Sequence, residues 1–224
     1  MICGIPGQAV LNDSDPSSAP EPAASPAGLA GGRLKNLLPR DGRVFYCGVL
    51  WGAVAADSSL RSLQAADFWR NDEVVMFGKR RILSRKMAWF GDAAYGYAGA
   101  VKQPVAWDAE VLRLKTQVEA ASGCGFNSCL LNLYADGGEG MGWHADNEST
   151  LIPRATIASV SFGAERIFRF KHRTTLEQVE VVLEHGSLLL MEGETQLHWL
   201  HALPKSRRVH SPRINLTFRS MRTP

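Results

Sequence analysis

Residues 213–219 read RINLTFR, and this stretch decides the fold class more than any other part of the chain. Apolar and polar side chains alternate with a period of two, which predicts a β-strand with two chemically different faces. The apolar face carries Ile214, Leu216 and Phe218 and needs a hydrophobic core to pack against. The opposite face carries four polar side chains, which are Arg213, Asn215, Thr217 and Arg219.

Short β runs fill the rest of the C-terminal half. They are separated by glycine-rich turns and lie at residues 127–134, 156–162, 166–171, 179–183 and 187–191. Many short strands joined by such turns are typical of a sandwich or a barrel. The fold class that we predict is therefore mainly β with flanking helices (α+β).

The N-terminal half is more helical and more basic. RVFYCGVL at residues 43–50 predicts a strand, and apolar residues at helical spacing predict helices over 58–69 and 107–120. Asp57 is the candidate N-cap of the first helix. Residues 74–97 are rich in basic and aromatic side chains and predict short strands and loops.

The first 35 residues have a different composition from the rest. Five of the eleven prolines fall in the first 26 residues, among alanine, serine and glycine. Such a segment buries too little apolar surface to offset the entropy lost on ordering. We predict a disordered tail over residues 1–35 and one folded domain over 36–224.

Charge and cysteine content narrow the class of protein only modestly. A formal net charge of +3 is too small to argue for a nucleic-acid partner by itself. The four cysteines form no CxxC pair, so we interpret them as reduced thiols. No secretory signal and no apolar run long enough to span a bilayer is evident. We therefore expect a cytoplasmic protein without membrane contact.

A candidate metal site lies in GWHADNE, which contains His144 and Asp146 two residues apart. On an extended backbone these side chains point to the same side and can meet one ion. His201 in HWLHALPK is the leading third ligand, although His198 is a competitor by sequence alone. Two histidines and one carboxylate on one face of an octahedron form the facial triad of non-haem Fe(II) oxygenases. Taken alone, the HxD pattern favours a surface turn over a metal site.

The polar face of RINLTFR supports the oxygenase interpretation. Buried guanidiniums are costly unless anions pair with them, and arginine forks suit carboxylates. Arg213 and Arg219 therefore predict a site for a small dicarboxylate such as 2-oxoglutarate. Asn132 and Tyr134 share one face of a second strand and could hydrogen-bond the same ligand. The alternative is a half-exposed edge strand with solvated arginines.

The order and spacing of several motifs now point to a known family. The chain resembles the AlkB family of Fe(II)/2-oxoglutarate-dependent nucleic-acid demethylases over residues 37–222, and is most similar to the branch that repairs alkylated DNA. The motifs that carry the resemblance are VVMFGKRR, RKMAWFGDA, NLYADGGEGMGWHADNE, IASVSFGAERIFRFKHR, HGSLLLMEGETQLHWLHALPK and PRINLTFR. The resemblance implies a double-stranded β-helix, or jelly roll, over 126–224. It also implies helices and an N-terminal nucleotide-recognition lid over 36–125.

The resemblance also assigns roles to individual residues. It implies Fe²⁺ bound by His144, Asp146 and His201, which decides against His198. It implies 2-oxoglutarate as co-substrate with O₂. The residues implied to bind 2-oxoglutarate are Asn132, Tyr134, Arg213, Asn215 and Arg219.

The implied reaction is oxidative demethylation of 1-methyladenine and 3-methylcytosine in DNA, releasing formaldehyde, succinate and CO₂. Glu148 stands where the family contacts the exocyclic amine of the base. Tyr95 and Tyr97, in AAYGYAGA, are the best matches to the aromatic pair of the lid, which usually reads like YTYSG. Lys79, Arg80 and Arg85 belong to a basic cluster suited to phosphates. We expect a monomer whose partner is single- or double-stranded alkylated DNA. RNA, a protein side chain and a catalytically silent nucleic-acid-binding jelly roll are the alternatives.

Overall fold

Two antiparallel β-sheets form the framework of the molecule. The computed structural model describes residues 34–76, 79–91, 95–97 and 100–222. The predicted tail, residues 1–35, therefore lies almost wholly outside the described residues. The described strands are β1 (Arg43–Val49), β2 (Arg70–Met76), β3 (Lys79–Gly91), β4 (Tyr95–Tyr97), β5 (Ala100–Lys102), β6 (Ser128–Tyr134), β7 (Met141–His144), β8 (Ile157–Gly163), β9 (Arg166–His172), β10 (Gln178–Leu183), β11 (Ser187–Glu192), β12 (Trp199–Leu203) and β13 (Arg213–Arg219).

The larger sheet has seven strands in the order β1-β11-β8-β13-β6-β3-β2, and the smaller sheet has the order β10-β9-β12-β7. RINLTFR forms β13 over its whole length, between β8 and β6. Strands β4 and β5 pair separately as a hairpin. Each of the six β runs predicted for residues 127–219 corresponds to one strand, with ends that agree within one residue.

The two sheets share a hydrophobic core at one end of the sandwich. Phe170 and Trp199 from the smaller sheet pack with Leu189 and Met191 from the larger one, and all four are nearly inaccessible to solvent. The other face of the larger sheet packs against the helices α1 (Ala53–Ala65) and α2 (Ala109–Ser122). Two sheets with helices on one outer face confirm the mainly β, α+β prediction.

The first helix differs from its predicted position at 58–69. It begins after Gly52 and ends at Ala65, so Asp57 lies inside the helix instead of capping it. The chain leaves the helix after Ala65, and the Trp69 indole N–H then donates to the carbonyl of Leu63 at 2.7 Å. Apolar residues continue past the helix end because Phe68 is still buried in the core. The second helix lies close to its prediction, with Asp108 as its N-cap.

Sequence reasoning missed strands β7 and β12 and the one-turn helix α3 (Thr195–His198). β3 is also a long strand of 13 residues where short strands and loops were predicted. None of the helices in the described ranges is long and apolar enough to cross a bilayer.

Candidate active site

The three predicted metal ligands meet at one point between the sheets. His144 ends β7, and its backbone pairs directly with His201 of the neighbouring strand β12. Asp146 follows two residues later in the loop after β7. The Nε2 atoms of both histidines lie 3.9 Å from Asp146 Oδ1, and one ligand atom of each residue falls within 4.8 Å of the others. The spacing of these atoms suits a single metal ion.

The chemistry of the donor atoms fits Fe²⁺. His144 Nδ1 lies 2.8 Å from the carbonyl oxygen of Gly142 and must donate to it, which leaves the lone pair of Nε2 for a metal. Burial, followed by the neighbouring His144, lowers the pKa of His201 to about 3, so this imidazole is neutral near pH 7. With the Asp146 carboxylate, the set is two imidazoles and one carboxylate on one side of the pocket, as in a facial triad.

Arg219 holds the carboxylate ligand in place. Its guanidinium donates to Asp146 Oδ2 at 2.7 Å, and both side chains are 4% exposed. Burial would raise the pKa of Asp146, but Arg219, His201 and His144 lower it to about 2. The carboxylate therefore stays ionised, with one oxygen turned toward Arg219 and the other toward the histidines.

Arg213 meets the requirements of a carboxylate site. Its side chain is almost fully buried, yet among the described residues its guanidinium makes one hydrogen bond, to Ser161 Oγ at 3.0 Å, and its Nε has no partner. No carboxylate of the described residues lies within ion-pair distance of it. Burial lowers the pKa of Arg213 to about 10, so it remains a cation near pH 7. A buried cation in this state needs an anion, and one end of 2-oxoglutarate would supply it.

The other three predicted co-substrate residues line the same cavity, although their contacts differ. Tyr134 is buried, with its ring between the guanidiniums of Arg213 at 5.5 Å and Arg85 at 5.8 Å. Asn132 pairs with Asn215 across β6 and β13. The Asn215 amide nitrogen donates to neighbouring β8 at 2.8 and 2.9 Å, so this amide is largely engaged by the sheet. All eight residues predicted for metal and co-substrate thus line one cavity.

The other histidines lie outside the triad. His198 belongs to α3, and its Nε2 lies 3.6 Å from Glu194. His172 and His185 lie 3.2 Å from Asp41 and Asp57, respectively.

The residues predicted to bind substrate do not all line the cavity of the metal site. Glu148 lines a second cavity, which shares Asp146 with the first. Tyr95 and Tyr97 form β4, and Lys79 and Arg80 begin β3, but the side chains of these four lie outside the described structure.

Arg85 was predicted to contact phosphates, which requires an exposed side chain, but the structure buries it. It is 5% exposed, forms an ion pair with Asp72, and donates to the carbonyl of Gly140 at 3.3 Å. Both members of this pair line the first cavity. Asp72 was not among the residues predicted for the site. The charged residues of β2 form no pattern from which its inward position could be predicted.

The fold and the His-Asp-His cluster define a class of protein, the non-haem Fe(II) oxygenases. The family model described as "2OG-Fe(II) oxygenase superfamily" matches residues 44–219, so the chain belongs to that superfamily.

Named relatives support this assignment. DNA oxidative demethylase ALKBH2 of Mus musculus is 40% identical over 218 residues, covering 90% of each chain. Alpha-ketoglutarate-dependent dioxygenase alkB homolog 3 of Bos taurus is 41% identical over 147 residues, or 61% of this chain and 51% of the relative. The solved structure of OsALKBH1 superposes with a TM-score of 0.56 at 17% identity, covering 84% of this chain and all of that one. This likeness confirms the jelly-roll fold.

Proposed function

We propose that the protein removes methyl groups from N-alkylated bases in DNA, with 1-methyladenine and 3-methylcytosine as substrates. The observation that carries this proposal is one cavity lined both by His144, Asp146 and His201, which could hold a metal ion, and by a buried arginine that pairs with no carboxylate of the described residues. The Mus musculus relative, which is named a DNA oxidative demethylase, supports DNA as the substrate.

Five residues of the cavity would have a task in this reaction. His144, Asp146 and His201 would bind iron from one side and leave the other side open. Arg213 would hold the distal carboxylate of 2-oxoglutarate, with Tyr134 packed against its guanidinium. Bound iron, 2-oxoglutarate and O₂ supply the oxidation that hydroxylates the methyl carbon and yields succinate and CO₂. The hydroxymethyl adduct then loses formaldehyde, which restores the base.

The damaged base must leave the duplex to reach the cavity. Methylation at N1 of adenine or N3 of cytosine blocks Watson–Crick pairing, which lowers the cost of flipping the base out. We assign Glu148 to the exocyclic amine of the base, and Tyr95 and Tyr97 to its aromatic faces. An acid and aromatic rings would also favour the positive charge of these lesions. Lys79 and Arg80 would contact phosphates without reading sequence.

Incubation with methylated single-stranded DNA and RNA oligonucleotides, Fe(II), ascorbate and 2-oxoglutarate, analysed by mass spectrometry, tests the proposal. We expect the mass of one methylene group to be lost from DNA, with formaldehyde and succinate in equal amounts. Loss from RNA alone would favour the RNA alternative, and loss from neither polymer would contradict demethylation.

A matched pair of histidine variants tests the ligand set. His201→Ala should abolish turnover while DNA binding persists, whereas His198→Ala should retain turnover because that side chain contacts Glu194 instead of the site. A silent nucleic-acid-binding module would give no turnover in the unaltered protein, so the same assay separates it from the enzyme.

The remaining expectations concern the state of the protein. We propose a monomer, which sedimentation at micromolar concentration would test. We also propose a cytoplasmic location, on the basis of the three cysteines that are unpaired within the described residues, and cell fractionation would test it.

A further inference from the structure

The loop that supplies the carboxylate ligand is held by a side chain that no motif singled out. Asp146 lies two residues beyond the end of β7, so its backbone N–H has no partner in the sheet. Gln196 fills this gap, because its Oε1 accepts from the N–H of Asp146 at 2.9 Å. A backbone N–H is only a donor, so the amide orientation of Gln196 follows from chemistry.

The other end of the amide is also engaged. Gln196 Nε2 lies 3.5 Å from the sulfur of Met191, whose side chain lines the active-site cavity. Gln196 itself lines the second cavity, which it shares with Asp146. Its amide therefore contacts two residues that line the active-site cavity, Asp146 and Met191.

The hydrogen bond between Gln196 and Asp146 connects two segments that each supply predicted metal ligands. Gln196 lies in α3, five residues before His201, so it belongs to the segment that supplies the third ligand. Its bond to Asp146 joins that segment to the one that supplies the first two ligands. The backbones of the two segments also pair through β12 and β7, but this pairing ends at His144, before Asp146. Without the glutamine, the backbone of Asp146 would lose this hydrogen bond, although Arg219 would still hold the side chain.

We infer that Gln196 is a positioning residue for the metal site: it fixes the backbone of Asp146 so that the carboxylate is preorganised beside the two imidazoles. The inference rests on the proposed ligand set. Partners that orient metal ligands typically contribute about 10- to 100-fold to metal affinity. We expect the lower end of that range, because Gln196 bonds to the backbone of the ligand and Arg219 already holds its side chain.

The test compares two substitutions of similar size in the full-length chain. Gln196→Met keeps the volume but loses the acceptor, whereas Gln196→Glu keeps an acceptor oxygen at the same reach. Mn²⁺ is the probe, and electron paramagnetic resonance of the free ion gives its dissociation constant. We expect Gln196→Met to weaken Mn²⁺ binding about 10-fold, and Gln196→Glu to bind at least as tightly as the unaltered protein.

Two controls separate positioning from a structural effect. Gln64→Met makes the same change on the exposed face of α1 and should leave Mn²⁺ binding unaltered. Thermal unfolding of Gln196→Met should match that of the Gln64 variant. In turnover assays Gln196→Met should raise the Fe(II) concentration needed for half-maximal rate while the rate at saturating iron changes little.

The outcomes distinguish this inference from the proposed ligand set. Unaltered Mn²⁺ affinity in Gln196→Met, or equal losses in the Met and Glu variants, would overturn the positioning role. Equal Mn²⁺ binding by the unaltered protein and by Asp146→Ala would instead overturn the ligand set, and the positioning role with it.

Discussion

The two faces of strand β13 are both largely buried but chemically opposite. On one face Ile214, Leu216 and Phe218 have no exposed surface and pack in the core beneath the two long helices. On the other face Arg213 and Arg219 are only 2% and 3% exposed, and they line the active-site cavity. One strand, β13, supplies both sets from alternate positions.

This difference separates the residues that stabilise the fold from those that perform the chemistry. Burying apolar surface contributes roughly 25 cal/mol per Å² to folding. Burying a guanidinium opposes folding unless an anion compensates, and Arg213 has none among the described residues. We therefore expect substitutions on the apolar face to change mainly the free energy of unfolding, and substitutions on the polar face to change mainly ligand binding.

The largest effect is expected on the apolar face. Leu216→Ala removes a fully buried side chain beneath the helices and should lower the free energy of unfolding by about 3 kcal/mol. Urea denaturation measures this change. The 2-oxoglutarate KM of the remaining folded enzyme should be unaltered, and a large increase would mean that the two faces are coupled.

On the polar face, Arg213→Met should have the opposite profile. Removing hydrogen bonds to a charged group costs about 2 kcal/mol, which corresponds to a roughly 30-fold higher KM for 2-oxoglutarate. The unfolding free energy of the ligand-free protein should stay constant or rise, because an uncompensated buried cation is lost. Steady-state kinetics and urea denaturation of the same preparation test both parts. A stability loss as large as that of Leu216→Ala would contradict the comparison.

The reactivity of Cys129 tests how strongly the apolar face is shielded from water. Burial raises the pKa of Cys129 well above its ordinary value, and Arg219 offsets only part of this. A raised pKa means less thiolate at a given pH, so iodoacetamide at pH 8.5 should modify native Cys129 at least about tenfold more slowly than the unfolded chain. The partly exposed Cys124 is the internal control in a mass-spectrometric time course.

The smallest effect concerns the cap of a helix that covers the apolar face. Asp108 Oδ1 accepts from the backbone N–H groups of Glu110 and Val111 at 2.9 and 3.2 Å. Asp108→Ala should therefore cost about 1 kcal/mol of stability, while Asp108→Ser should recover most of it. Thermal unfolding measures both variants, and turnover at saturating substrates should be the same for each.

Local patterns predicted much of this architecture. Period-two alternation identified β13 and its two faces, because neighbouring side chains on a strand must point in opposite directions. The same argument predicted that the side chains of His144 and Asp146 point to one side and can bind one ion. Family resemblance was needed to choose His201 over His198, since both lie in one short segment and spacing alone left the choice open.

Other features depend on partners that are remote in the chain. Helix α1 was predicted too late because Phe68 and Trp69 continue the apolar pattern after the helix has ended. Arg85 was interpreted as a phosphate contact because it stands in a basic run. Its inward position depends on Asp72, which pairs with it across two strands.

The sequence by itself determined which side chains could act: the HxD ligands, the two arginines of β13 and the apolar stripe behind them. These groups can be recognised locally, because alternate residues of an extended backbone point to the same side. Tertiary structure alone decided which of these groups meet. It paired His201 with His144, turned Arg219 toward Asp146 and brought Gln196 to the N–H of Asp146. Those contacts join segments about 50 to 75 residues apart, and the register between distant strands is set by packing of the whole sandwich.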